Sequence, residues 1–216
     1  MNKKGENNNQ TLEVERETAT EPRGLSATSK NRVLAAALKL FVEQGYFNTN
    51  IPDLSRESKC SVGSIYHHFK NKEEVAKELY AQCIADFRRS LASALEEAKS
   101  PEAVIKTLVH SLLHFSEVNK QLSRYMWLCR HNEFVSAVVK PATVVGFDSL
   151  GRKLTTSIRG GIKQRQLRAL SAHLIWSILF GIPLAYVRDW LEGLNPLSPT
   201  EVADEIAEAC WRALKA

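Results

Sequence analysis

The sequence predicts an all-α chain: an N-terminal three-helix domain containing a helix-turn-helix, followed by a larger C-terminal helical bundle. Three observations predict it. From residue 29 onward, apolar residues recur at the three- and four-residue spacing of a helix face. Successive starts carry Ser or Asn at the capping position, in places with proline just behind. No stretch shows the alternation and tight turn dipeptides of a β-hairpin. With 216 residues, 44% of them apolar, the chain can bury a sizeable core.

The elements follow in order. Residues 1–27 are rich in Asn, Glu and Thr and nearly devoid of large hydrophobes, so they cannot offset their ordering entropy and are expected to form a disordered leader. A basic arm for a minor groove is the alternative, with Lys3, Lys4, Arg16 and Arg23 set among more numerous acids. A first helix is predicted over Lys30 to Gln44, with Val33, Leu34, Ala37, Leu38 and Phe41 on one face and Gly45 as its C-cap. Residues 51–69 read as two short helices joined by a tight turn. Asn50 caps the first with Asp53 as its acidic partner, Ser61 caps the second, and Ile51, Leu54, Cys60 and Ile65 share a small core. That geometry lays the second helix into the major groove of DNA.

A fourth helix starts near Asn71 and runs past Leu95 on Val75, Leu79, Ile84, Phe87 and Leu91. At 1.5 Å per residue it reaches about 36 Å, enough to leave the head and enter the bundle. Ser100-Pro101-Glu102 opens a fifth helix, lined by Val104, Leu108, Leu112 and Phe115. Beyond it come a short helix over Gln121 to Arg130, a break at Pro141, and helices over Ala142 to Gln164 and Ser171 to Trp190. A last helix opens at Ser198-Pro199-Thr200-Glu201 and ends near Leu214. The expected division is therefore leader 1–27, DNA-binding domain 28–75 and bundle 76–216.

Composition excludes several classes. A net charge of +5 suits a phosphate partner without selecting one. Cys60, Cys83, Cys129 and Cys210 form no C-x-x-C pair and follow no secretory segment, which points to a reduced, cytoplasmic setting. All four read as buried small hydrophobes, with Cys129 kept as an alternative redox sensor. The longest apolar approach, Leu174 to Val187, is shorter than a bilayer span and contains Pro183, so no membrane partner is expected. No cofactor or metal is expected either: the adjacent His67 and His68 point about 100° apart on a helix, whereas helical zinc ligands share a face. No nucleophile with a neighbouring base and no phosphate-cradling glycine loop argues for an enzyme.

Residues 29–80 carry a resemblance. An Ala-rich first helix ends in Phe41 and Gly45-Tyr46; Asp53-Leu54 follow, then Ser61-x-Gly63-x-x-Tyr66-x-His68-Phe69 and Lys72. Together they resemble the N-terminal domain of TetR-family transcriptional regulators. Gly160-Gly161-Ile162 and the helix ending GIPLAYVRDW resemble, more loosely, the C-terminal half of such proteins. Lys59 departs from the pattern, standing where the turn usually has glycine; so do Val62, where a basic residue is frequent, and Pro52, which removes an amide from the first turn.

The resemblance implies a ligand-responsive DNA-binding regulator, a homodimeric repressor released from its double-stranded operator by a small, largely apolar effector. An activator of the same fold or a helical protein-interaction adaptor is the alternative. It places Val62 against a thymine methyl, Ser64 on a base edge or phosphate, Tyr66 on a phosphate and His67 on either; Ser61 stands at the start of this helix. Thr49, Asn50 and Lys72 would hold phosphate. Phe69 reads as core, and His68 as either a lock within the motif or a phosphate contact. An effector would lie between the central helices, against Phe87, Leu91, Leu112, Phe115, Tyr125 and Trp127. Phe147, Trp176 and Phe180 would complete the walls, with His114, one turn from His110, as the polar candidate. Two half-sites need two heads, and Leu174, Ile178, Gly181 and Ile182 on one helix with Val202, Ile206 and Trp211 on the next would form a four-helix interface.

Overall fold

The computed structural model describes residues 28–128 and 148–216. The leader, Cys129, Pro141, the start of the helix expected from Ala142, and the site candidate Phe147 lie outside the described residues. Nine helices form among the described residues, with no strand beyond a two-residue bridge between Leu167 and Lys215. The head is α1 (Ser29–Glu43), α2 (Ile51–Ser58) and α3 (Val62–His68). The body holds α4 (Lys72–Ala94), α5 (Pro101–Val118), and α6 (Lys120–Ser123), which runs into a π-helical turn at Arg124–Leu128. It continues with α7 (Ser149–Lys163), α8 (Ala172–Leu191) and α9 (Ala203–Leu214).

Capping explains most of these starts. Thr28, Asn50, Ser61, Asn71, Ser100, Asp148 and Ser171 each accept a hydrogen bond from the backbone N–H three residues on, satisfying a donor the helix leaves open. Two boundaries differ from expectation. The fourth helix stops at Ala94 because Leu95 and Ala98 turn into the core, and Lys153 donates to the freed carbonyl of Leu95. The last helix begins at Ala203: Ser198 does not cap it with its hydroxyl, and Glu201 instead accepts from the Ser198 N–H at 2.6 Å, holding Pro199 to Val202 as turns.

Pro183 does not end α8. A π-helical turn at Ser177–Gly181 precedes it, so the ladder is already re-registered where the missing N–H falls. The continuous helix is by length and composition long enough to cross a membrane. One of its faces, through Ile175, Leu179, Phe180, Pro183, Val187 and Leu191, is buried in the protein core.

A single hydrophobic core runs through head and body. Phe41 of α1 stacks on Tyr125 of the π-helical turn, ring centroids 6.0 Å apart and 20° between planes, and the Tyr125 hydroxyl donates to the Ala76 carbonyl at 2.8 Å. Phe87 meets Phe115 edge to face at 5.4 Å, joining α4 to α5.

Candidate nucleic-acid interface

The candidate reading helix, α3, is only seven residues long, so its ends matter more than its propensity. The Ser61 hydroxyl accepts from Ser64 N–H at 3.1 Å. Before it, α2 opens with a reciprocal box: Asn50 Oδ1 accepts from Asp53 N–H at 2.9 Å and Asp53 Oδ2 from Asn50 N–H at 3.0 Å. Lys59 closes the turn between them with φ +55°, the left-handed conformation that costs a residue with Cβ about 1 kcal/mol. Buried Cys60 next to it offsets this strain, its carbonyl accepting from Ser55 Oγ at 2.7 Å.

The helix presents two faces. Ile65 and Phe69 are buried against α1 and α2, while Val62 is 40% and Tyr66 53% exposed. Ser61, Gly63 and His67 are exposed beside them, with Ser64 half-buried; Asn50 is exposed at the start of α2. His68 is half-buried, its Nε2 2.6 Å from Ser29 Oγ, which ties the end of α3 to α1 and favours the locking role.

Two expected phosphate contacts are corrected. Thr49 is 1% exposed; its hydroxyl donates to Gly45 O at 2.9 Å and accepts from Gln44 Nε2 at 3.2 Å. The Lys72 ammonium donates to the carbonyls of Tyr46 and Thr49, both at 2.7 Å, and lies 4.2 Å from the centroid of the Tyr46 ring. Burial lowers its pKa below the usual lysine value. Both residues clamp the α1–α2 loop, whose carbonyls converge outside any helix and need donors. Sequence reasoning missed Phe47, 71% exposed on that loop with its ring against Tyr46 at 5.3 Å. A loop aromatic has no period to betray its direction.

In the body, Phe87, Leu91, Leu112, Phe115 and Tyr125 are fully packed, Phe180 is buried, and Trp127 and Trp176 are half-buried. His114 is corrected: it is exposed on the opposite side of α5. With His110, Ser90, Ser111, Thr200 and Asp204, and with Ala94 and Ala203, it lines an open surface cleft of about 430 Å³, where His110 Nε2 lies 3.2 Å from Asp204 Oδ1. Val202 and Trp211 are also corrected as interface residues. Both are buried within the protomer, α9 lying along α5, whereas Ile206 is half-buried. Leu174 is 47% and Ile182 42% exposed; with half-buried Ile178 and exposed Gly181 and Ala185 they make one outward apolar stripe on α8. Burial raises the Cys83 thiol to about 12, with Asp86 adding to the shift, and Cys210 to about 11.

The profile described as "Bacterial regulatory proteins, tetR family" matches residues 33–79. The HTH-type transcriptional regulator YhgD of Bacillus subtilis (strain 168) is 21% identical over 180 residues, spanning 83% of this chain and 93% of YhgD. The HTH-type transcriptional regulator LmrA of the same organism is 32% identical over 85 residues, 39% of this chain and 45% of LmrA. A crystal structure of a TetR-family transcription regulator from Shewanella sp. PV-4 superposes with a TM-score of 0.74 at 20% identity, over 88% of this chain and 99% of that one. The matched profile describes bacterial regulatory proteins, and these relatives are described as transcriptional regulators.

Proposed function

From a head that matches the profile of the tetR family of bacterial regulatory proteins over residues 33–79, we propose that the chain is a cytoplasmic, homodimeric repressor released from a double-stranded DNA operator by a small, largely apolar effector. The observation that carries this is α3 itself: capped at Ser61, anchored by Ile65 and Phe69, and free to offer Val62, Tyr66 and His67 outward. The direct readers are Val62, Ser64 and His67, with Ser61, Tyr66 and Asn50 set for phosphate.

Pairing of two chains would bury the α8 stripe at Leu174, Ile178, Gly181 and Ile182, where Gly181 faces open space in the protomer and its missing side chain would leave room for a partner helix. The division at residues 75 and 76 marks where DNA contact gives way to effector binding. An effector held among α4, α5 and α6 would favour protomer arrangements whose heads no longer match successive major grooves, and affinity would fall by population shift.

Selection of bound fragments from genomic DNA tests the reading. The expected yield is duplexes with inverted repeats, bound more weakly as salt rises, with His67→Ala plus Tyr66→Phe weakening binding to them. Retention of no duplex even at low salt would sink it.

A further inference from the structure

The positive charge of the chain is gathered in one place. Residues 149–168 hold six Arg or Lys and no Asp or Glu, whereas the remaining 23 Arg and Lys are offset by 24 Asp and Glu. This stretch forms α7 and the turn after it. Leu150, Leu154, Ile158 and Gly161 are buried along one side of α7, which leaves Arg152, Thr156, Arg159 and Lys163 on a single exposed stripe at helical spacing. Elsewhere many surface cations face an acid, as in Lys30–Glu78, Lys39–Glu57 and Lys77–Glu73. The side chains of Arg159, Lys163 and Arg165 are exposed and meet no acid or acceptor among the described residues.

The basic stripe lies far from the head. α7 opens where Asp148 pairs with Arg88 of α4; Lys153 then donates to the Leu95 carbonyl, and a Cβ at Gly161 would come within 3.1 Å of Pro101 Cβ. It therefore runs away from the head, beside the far end of α4. That helix spans 23 residues, about 34 Å, so α3 and the basic stripe stand near its opposite ends. The turn after α7 is held firmly. Gln166 and Leu167 N–H both donate to the Gly161 carbonyl, at 2.9 and 3.1 Å, with Arg165 between helix and turn at φ +58°. Leu167 bridges to Lys215, and Arg165 and Lys215 share a cleft of about 270 Å³ whose acid, Glu102, is engaged by Lys106.

We propose that the basic stripe of α7, continued by Arg165 and Lys215, is a second docking face for double-stranded DNA, so that the protein holds another duplex segment besides its operator. This rests on the DNA reading of the head. The partner follows from what the face lacks. No exposed large hydrophobic residue lies within 149–168. Attachment to a lipid surface buries an apolar helix face, and a protein interface is anchored by aromatic residues at its centre. A phosphate backbone needs cations alone. From Arg152 to Lys163 the stripe is about 16 Å long, and a DNA strand presents a phosphate about every 3.4 Å of its axis, so several fall within reach. The Thr156 hydroxyl, between the two arginines, can donate to one of them. With contacts to phosphate only, the face is indifferent to sequence.

The test saturates the full-length protein with unlabelled operator duplex, so that the heads are occupied, and measures capture of a fluorescent duplex of unrelated sequence. Three phosphate contacts give a log–log salt slope of about −2.7, so the capture affinity should fall about 40-fold between 50 and 200 mM salt. Arg159→Gln with Lys163→Gln and Arg165→Gln should melt as wild type does, since these side chains have no partner to lose. The triple variant should keep its operator affinity and lose capture, whereas Arg159→Lys with Lys163→Arg and Arg165→Lys should retain both. Capture unchanged in the glutamine variant, or absent from wild type at 50 mM salt, would overturn the proposal and leave the head reading standing. Loss of operator affinity together with capture would show one duplex touching both faces and overturn it as well. Phosphatidylserine vesicles should not bind; uptake equal to that of the duplex and lost in the glutamine variant would assign the face to lipid instead. The two failures are distinct, because the head reading fails when no operator is selected and this one when no second duplex is held.

Discussion

Replacing Lys72 by Met separates a clamp from a phosphate contact. The substitution keeps the aliphatic stem beside Tyr46 but removes the ammonium, leaving the carbonyls of Tyr46 and Thr49 without their donor. Hydrogen bonds to a charged group contribute about 1.5–3 kcal/mol each, and a cation over an aromatic face about 0.5–1 kcal/mol. Lys72 is half-buried, so water recovers part of this, and the net loss should be about 2–3 kcal/mol. For a chain of this size 1 kcal/mol moves the melting temperature by about 2–4 °C, so the variant should melt roughly 5–10 °C lower. Thermal circular dichroism measures it, with DNA affinity followed in parallel at a temperature where both proteins are folded. Lys72→Met with Tyr46→Leu should be less than additive, since the two share the cation–π contact. An unchanged melting temperature together with a shallower salt dependence of DNA binding would refute the clamp and return Lys72 to the phosphate backbone.

Three further outcomes are expected. Gly63 is exposed on α3, and a Cβ added there meets only Ser61 Oγ at 4.0 Å; Gly63→Ala should fold, with stability higher by up to about 1 kcal/mol, yet lose DNA affinity if duplex approaches that face. Equal affinity in a gel-shift titration would place the duplex elsewhere. Leu174→Glu with Ile182→Glu should yield folded monomers by analytical ultracentrifugation, and a dimer that persists would move the interface off the α8 stripe. Cys83 has a folded pKa near 12 against an ordinary value of 9.0, so its contribution is full below pH 9 and is lost as pH rises toward 12. The melting advantage of wild type over Cys83→Ala should therefore shrink above pH 9, and a constant gap would show the thiol is not shielded.

What the sequence disclosed was what depends on neighbours. The Asn50–Asp53 box, the Ser61 and Ser100 caps and the inward faces of α1 and α5 all arise from residues within a turn or two of each other, so spacing alone reveals them. Lys72 was misread because its partners lie 23 and 26 residues away, and no local rule distinguishes a lysine facing phosphate from one facing a loop carbonyl. Val202 and Trp211 were misassigned for a related reason. Helical period identifies an apolar face but not what covers it, and here α5 of the same chain does.

The continuous core bears on how an effector could act. A head that swung freely would need a seam between it and the body, but Phe41 stacks on Tyr125, Tyr125 bonds Ala76, and Lys30 pairs with Glu78 at 2.6 Å. Moreover α4 supplies both the Lys72 clamp beneath the α1–α2 loop and the Phe87 wall deep in the body. Hinging at residues 75 and 76 would break the Phe41–Tyr125 and Lys30–Glu78 contacts together with the helical ladder of α4. If two copies pair through the α8 stripe as proposed, the lower-cost motion turns each protomer as a body: a displacement of α4 and the 124–128 turn would reach the outward stripe at Leu174 and Ile182 through the packing of α8 on that turn. On this account the distance between the two heads is set where the chains meet, and substitutions on the α8 stripe should alter effector response as strongly as substitutions around the ligand.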